Sequence, residues 1–212
     1  MGNSKVSITI TREFGSMGRA IGKRVAEKLG FKYYDRDIIE NASPLAGENL
    51  EILGKYDGHD YSPFAKMAHP LGYGSRSLQM KLFDAERSII MEYAYYDNCV
   101  IIGRCSDYIL RDKENNLSIF IYAPYEKRLE NCKKELRLSD KDAIRYIAGV
   151  DKGREDFYKM ITKSRFDDIE NRHLMIDSSV LGIEGTADLI VSMVKKRFNT
   201  EEMTAETAPS DK

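Results

Sequence analysis

Residues 5–11 (KVSITIT) alternate apolar and polar side chains and are rich in β-branched types, which predicts a half-buried strand. After a loop over 12–18, Ala20, Ile21, Val25 and Leu29 recur at helical spacing and predict a helix over 19–29, stopped by Gly30. Residues 31–34 predict a short second strand ending at Asp35, and 37–41 the start of another helix. From 43 to 77 Gly, Pro, His and Tyr mix without a regular apolar face. That stretch is too long for an ordinary connection and is read as a mobile, substrate-covering region with short helices of its own. A long helix is predicted over 77–95, a turn at Asp97-Asn98 and an all-apolar strand at 99–102. Residues 117–122 predict the next strand, followed by a helix that Pro124 starts and that runs to about Leu136. Residues 139–161 predict a highly charged helix broken near Gly149. A short strand at 173–176, a turn at 177–179 and a last helix over 183–198 complete the pattern, and the polar residues 199–212 are expected to be a disordered tail.

Strands separated by helices predict an α/β fold, a doubly wound five-stranded parallel sheet flanked by helices. Residues 1–198 form one domain in this reading, with ligands at the carboxyl ends of the strands. The 212-residue length fits one large domain better than two small ones. Charge changes the picture by exclusion: 33 Lys and Arg against 34 Asp and Glu give a net charge of −1, with no global basic field to recruit a nucleic acid or an anionic membrane. No apolar run approaches the ~20 residues of a membrane helix, and the N-terminus lacks the layout of a signal peptide. Cys99, Cys105 and Cys132 are scattered, with neither CxxC nor disulfide-framework spacing, and read as reduced thiols of a cytoplasmic protein.

The first strand opens through Arg12-Glu13-Phe14-Gly15-Ser16-Met17-Gly18-Arg19 directly into a helix. Two glycines permit a tight turn and close approach of the backbone, and a helix start presents unpaired N–H groups. Together they suit a phosphate, with Arg12, Arg19 or both supplying charge. A purely structural strand-to-helix turn accounts for the same glycines. The GxxxxGK[ST] pattern is absent: in an aligned strand Gly18 takes the place of its lysine and Ala20 that of its magnesium-holding hydroxyl. Arginine can hold phosphate bidentately, so a missing lysine does not end phosphate binding.

The segment 10–19, followed by Tyr34-Asp35, resembles the cytidylate kinase-like family, a divergent branch of the P-loop nucleoside monophosphate kinases. The resemblance continues through 100–110 (VIIGRCSDYIL), 120–124, 151–154 (DKGR) and 177–184, and is weakest between 43 and 77. It implies a fold of the P-loop nucleoside triphosphate hydrolase/kinase type and transfer of the ATP γ-phosphoryl group to CMP or dCMP with Mg2+. It implies Arg12, Gly15, Ser16, Met17, Gly18 and Arg19 on the donor phosphates, with Asp35, Arg104 and Asp107 on the acceptor side. Residues 139–166 would contain a lid, with Asp151, Lys152 and Arg154 in its matching segment; Arg19, Arg104, Lys152 and Arg154 are the catalytic candidates. Cys105 stands where the family motif has aspartate, so only Arg104 of that pair carries over.

Each candidate also has a plainer explanation. Arg104 could serve a carboxylate, and Asp35 could cap a helix. The basic run Lys152, Arg154, Lys159, Lys163, Arg165 is interleaved with acids and fits a solvated face with i,i+4 pairs. Ser178 and Ser179 suit a turn, the three histidines lack metal-ligand spacing, and 93–96 (YAYY) reads as helix packing or a homo-oligomer contact. Phosphoryl transfer requires positioning and charge neutralisation more than a nucleophile, which suits a chain offering arginines and carboxylates. Two other classes compete. A non-catalytic nucleotide-sensing or protein-binding module on a kinase fold is favoured by the altered loop. A Rossmann NAD(P) reductase is suggested by Asp35 lying 20 residues after Gly15, but GxGxxG and Tyr-x-x-x-Lys are both missing.

Overall fold

The computed structural model describes residues 5–35, 38, 41–42 and 76–199. The element order is β1 (Ser7–Arg12), α1 (Gly18–Leu29), β2 (Lys32–Tyr34), α2 (Arg76–Tyr96), β3 (Cys99–Ile102), α3 (Ser106–Ile109), β4 (Asn116–Tyr122), α4 (Tyr125–Leu136), α5 (Asp140–Thr162), β5 (Leu174–Asp177) and α6 (Ser178–Phe198). A 3₁₀ turn, Ile169–Asn171, precedes β5. The expected covering region at 43–77 lies outside the described residues except for 76 and 77, which open α2, and so does the tail beyond 199.

All paired strands run parallel in the order β2-β3-β1-β4-β5. The strand beside β1 is therefore β3 and not β2, which departs from the Rossmann order. The chain leaves β1 toward the β2 side and leaves β4 toward the β5 side, so the crevice between their carboxyl ends is a topological switch point. Ile8 and Ile10 point to the face where α1 and α6 pack, burying Ile21, Val25, Ala187, Ile190 and Val194. The opposite face packs Ile38, Ile89, Ile90 and Ala94 on Cys99 and Ile101. Each such isoleucine removed from water stabilises the fold by ~1.5–3 kcal/mol, which holds the strand ends in fixed register beneath the site.

Two of the differences from the sequence reading have a clear physical reason. α5 runs unbroken through Gly149 because its buried stripe (Ala143, Ile147, Val150, Phe157) is continuous, outweighing the ~1 kcal/mol that a helical glycine costs. The turn expected at 177–179 is the start of α6: Asp177 accepts from the Ser179 N–H at 2.8 Å, and the helix kinks at Gly182 (φ 63°). No described helix is long and apolar enough to cross a membrane, and Cys99, Cys105 and Cys132 are buried free thiols.

At the β4–β5 edge, His173 Nδ1 accepts from the Ser118 N–H at 2.9 Å, a bond that only a neutral imidazole can accept. Partial burial and the Arg197 charge hold its pKa below 6.5. Between that lowered value and 6.5 the unfolded chain binds more protons than the folded one. Stability is therefore expected to fall as pH drops below about 6.5. In His173→Asn, whose side-chain oxygen can accept the same bond, that part of the slope should vanish in denaturant titrations; an unchanged slope would assign it to other groups.

Candidate functional site

The loop between β1 and α1 is held by its carbonyl groups. Asn131 Nδ2 of α4 donates to Gly15 O at 2.8 Å, and Ser178 Oγ of α6 donates to Ser16 O at 2.7 Å. Arg128 Nη1 donates to Phe14 O, and Ser16 Oγ donates to Glu13 O at 2.9 Å. Asp151 of α5 accepts the Phe14 N–H at 2.7 Å and is ion-paired to Arg128, which also meets Glu13 at 3.4 Å. Because the C=O and N–H of one trans peptide point in opposite directions, the Ser16 and Met17 amides turn away from Asn131 and Ser178. Gly15 (φ 82°) and Met17 (φ 61°) make the left-handed bends, and a Cβ on Gly15 would lie 2.8 Å from Arg128 O. Gly15 thus serves close packing on α4, while α1 begins without a side-chain cap and leaves its first N–H groups for a ligand.

A cavity of about 300 Å³ opens beside this loop, at the small end of the range for ligand sites. Its walls are residues 12–15 and 17–20, Asn131, Cys132, Glu135 and Leu136 of α4, and Arg154 of α5. Arg12, Arg19 and Arg154 line this cavity, and Arg104, in the turn after β3, lies close enough to act on the Arg12 charge. Arg154 Nη1 donates to Arg12 O at 2.9 Å, and its guanidinium lies 5.7 Å from the Phe14 ring centre. Arg19 pairs with Asp35, whose carboxylate also accepts from Tyr33 Oη at 3.4 Å. Arg104 Nη1 meets Glu86 Oε1 at 3.2 Å, and Glu86 is only 1% exposed. Gly103, Arg104 and Cys105 all have positive φ (71°, 60°, 51°), so the turn after β3 is sharply coiled beneath the Arg104 side chain.

Burial pushes the Arg12 guanidinium down to about 10, with Asp35 opposing and Arg19 and Arg104 adding to the fall. Arg154 is pushed well below the arginine range by burial and by Arg12, and Arg104 is lowered by burial against the pull of Glu86. One buried and two partly buried cations set near one another gain from an anion placed among them. Phosphate matches their planar forks.

The structure thus brings Arg12, Gly15, Ser16, Met17, Gly18, Arg19, Asp35, Arg104 and Arg154 to one end of the sheet. Two other candidates have their side chains engaged elsewhere. Asp107 is buried as an anchor, accepting from Tyr158 Oη at 2.7 Å and Thr11 Oγ1 at 3.3 Å and ion-paired to Arg172. Lys152 is exposed and pairs with Asp156 at 2.8 Å, because it lies two residues from Arg154 and so on the opposite face of α5. The sequence reading did not single out Glu13, Glu86, Arg128, Asn131 or Arg172. A usable signal existed for two of them. Glu86 falls in line with Leu82, Ile89 and Ile90 on α2, and Arg128 lies four residues before Cys132 on α4.

For a metal, Glu13, Asp35 and Asp151 are already engaged by arginines, and among the described residues no group of three or more His, Cys, Asp or Glu could hold an ion. These residues do not fit a resident metal cage.

A model of the cytidylate kinase-like family matches residues 7–180. The cytidylate kinase of Methanocaldococcus jannaschii is 26% identical over 192 residues, covering 88% of this chain and 96% of the relative. Among solved structures, a protein of Eubacterium ventriosum superposes with a TM-score of 0.66 at 20% identity, over 90% of this chain and 99% of that one. The shikimate kinase of Bacteroides thetaiotaomicron superposes with a TM-score of 0.53 at 13% identity, over 90% and 98%. These two likenesses show the fold, a parallel sheet flanked by helices that a shikimate kinase shares.

Proposed function

Since the chain belongs to the cytidylate kinase-like family, we propose that it transfers the γ-phosphoryl group of ATP to a nucleoside monophosphate, with CMP or dCMP as the acceptor. The observation that supports this most is the convergence of Arg12, Arg19, Arg104 and Arg154 between an anchored glycine loop and the ends of β2 and β3. Two anionic substrates meet in such a reaction, and catalysis consists mainly of positioning them and neutralising charge.

In this reading the amides of the loop and of the first turn of α1 bind the donor phosphates, and Arg154 closes over them from α5. Arg104 grips the acceptor phosphate with its fork, while Asp35 orients Arg19 and faces the acceptor nucleoside. Mg2+ enters as part of the ATP substrate, held by phosphate oxygens and water, where it neutralises charge on the β- and γ-phosphates. The α5 helix fills the place of a lid, already seated on the loop through Asp151 and Arg154. The cytoplasm, where ATP and nucleoside monophosphates are present, is the compartment this role implies.

Ala20, on the cavity wall where P-loop enzymes place a magnesium-holding hydroxyl, favours a second reading in which the site senses nucleotides without turnover. A screen of CMP, dCMP, UMP, AMP and GMP with Mg-ATP separates the two. Diphosphate formation with cytidine acceptors preferred supports the kinase. Thermal stabilisation by nucleotides without any ADP release supports the sensor.

A further inference from the structure

We infer that Arg12 is a catalytic residue whose guanidinium bridges the donor and acceptor phosphates, in the role of the P-loop lysine that this chain lacks. The inference deepens the kinase reading above and rests on it. It starts from two glycines on different loops. A Cβ on Gly18, at the start of α1, would lie 2.7 Å from Arg12 Cβ and 3.0 Å from its Cγ. A Cβ on Gly103, in the turn after β3, would lie 2.0 Å from Arg12 Nη1 and 3.2 Å from its Cζ. Both positions thus leave room for the same side chain: its stem lies along the donor loop and its head over the acceptor turn.

The base of that side chain is rigid. Arg12 ends the central strand β1, is registered against Ile121 of β4, and has its carbonyl held by Arg154. The head is less satisfied. Its Nε is buried without a hydrogen-bond partner, and among the charges acting on it Asp35 attracts while Arg19, Arg104 and Arg154 repel. The other arginines are placed differently: Arg19, at the start of α1, is tied to Asp35 beyond β2, Arg104 pairs with Glu86, and Arg154 seats on the donor loop. Arg12 alone among these four spans both loops, which is where a phosphoryl group in transfer must lie.

In the transfer, the bond between the γ-phosphorus and the β,γ-bridging oxygen breaks, and its electron pair leaves with ADP. A bond forms from the same phosphorus to a 5′-phosphate oxygen of the acceptor. With a dianionic acceptor no proton is released and charge is conserved. Charge spreads over the equatorial oxygens of the moving group, and a planar fork held between donor and acceptor neutralises it there more than in either bound ground state.

The test compares Arg12→Ala and Arg12→Lys with wild type, using the acceptor that wild type turns over. Removing one preorganised donor of this kind lowers kcat by roughly 100- to 1000-fold. The Kd values of ATP and of the acceptor, titrated separately, should stay within about tenfold of wild type, since other groups hold each nucleotide in the ground state. Free guanidinium should partly restore the rate of Arg12→Ala. Arg12→Lys keeps the stem between the glycines and should be slowed roughly 10- to 100-fold, intermediate because it keeps charge without the fork; it carries the test if the alanine variant does not fold. A kcat within tenfold of wild type in Arg12→Ala, wild-type kcat in Arg12→Lys, or a loss confined to nucleotide affinity overturns the role of Arg12 and leaves the kinase reading intact. A wild-type protein that turns over no monophosphate removes that reading and the role of Arg12 with it.

Discussion

Arg172→Met is expected to lower stability by about 3–5 kcal/mol, the usual cost of stranding one member of a buried ion pair. Asp107 and Arg172 have side chains 2% and 0% exposed, and they join four parts of the chain. Asp107 opens α3, Thr11 reaches it from β1, Tyr158 from α5, and Arg172 from the segment before β5. Arg172 Nη2 also donates to Phe166 O at 3.2 Å, and its guanidinium lies 5.3 Å from the Tyr158 ring centre. Methionine keeps the stem and much of the volume but leaves the Asp107 carboxylate without its cation. A chain of this size loses ~2–4 °C in Tm per kcal/mol, so a fall of roughly 6–20 °C is expected by calorimetry. Adding Asp107→Asn should recover much of it, because the amide oxygen still accepts from one of the two hydroxyls, the other hydroxyl can turn to accept from the amide NH2, and no charge is stranded. If the double variant is as unstable as Arg172→Met, the loss comes from packing around Phe120 and Tyr158 and not from the charge.

That anchor shows where sequence reasoning stopped. Asp107 sits three residues beyond Arg104 in a segment resembling an acceptor motif, so both were expected to face the substrate. Three positive-φ residues, 103–105, turn the chain so that Arg104 stays at the site while Asp107 drops beneath the sheet end. Nothing in the residue types announces that geometry. The strands were legible because burial writes itself into them: 99–102 is four apolar residues, and β1 alternates isoleucine with small polar residues. The loop was legible because its two glycines fall between a strand and a helix.

The helical charges are a different case, legible in principle. Glu86, Arg128 and Arg154 each lie on the apolar stripe of an amphipathic helix: Glu86 between Leu82 and Ile90, Arg128 before Cys132, and Arg154 between Val150 and Phe157. A charge on the buried stripe must have a partner or a ligand waiting, since burying it alone is costly. All three have one here, Glu86 in Arg104, Arg128 in Asp151, and Arg154 in the Arg12 carbonyl. Lys152, off the stripe, went to solvent. Reading the basic run 152–165 as one unit hid this division.

Glu86, on the buried stripe of α2, gives Arg104→Ala a second effect besides the loss of a ligand contact. In the kinase reading Arg104 holds the acceptor phosphate, and a charge-assisted bidentate contact in a partly dry site contributes on the order of 2–3 kcal/mol. At about 1.4 kcal/mol per tenfold, monophosphate affinity should fall roughly 30- to 150-fold. ATP affinity should change little, because the anchored loop and Arg154 hold the donor. Truncation also leaves Glu86, 1% exposed, without its cation, and burial has already raised that carboxyl above its ordinary pKa. Arg104→Ala alone would therefore lose stability together with affinity. Arg104→Ala combined with Glu86→Gln separates them: the neutral amide should restore stability, while the monophosphate affinity stays low. Arg104→Lys should keep the charge beside Glu86 but recover only part of the affinity, since an ammonium lacks the fork. Separate titrations of ATP and CMP against wild type and the three variants decide the matter. Equal weakening of both nucleotides would make Arg104 a scaffold of the whole site. Wild-type CMP affinity in the double variant would leave it only the partner of a buried glutamate.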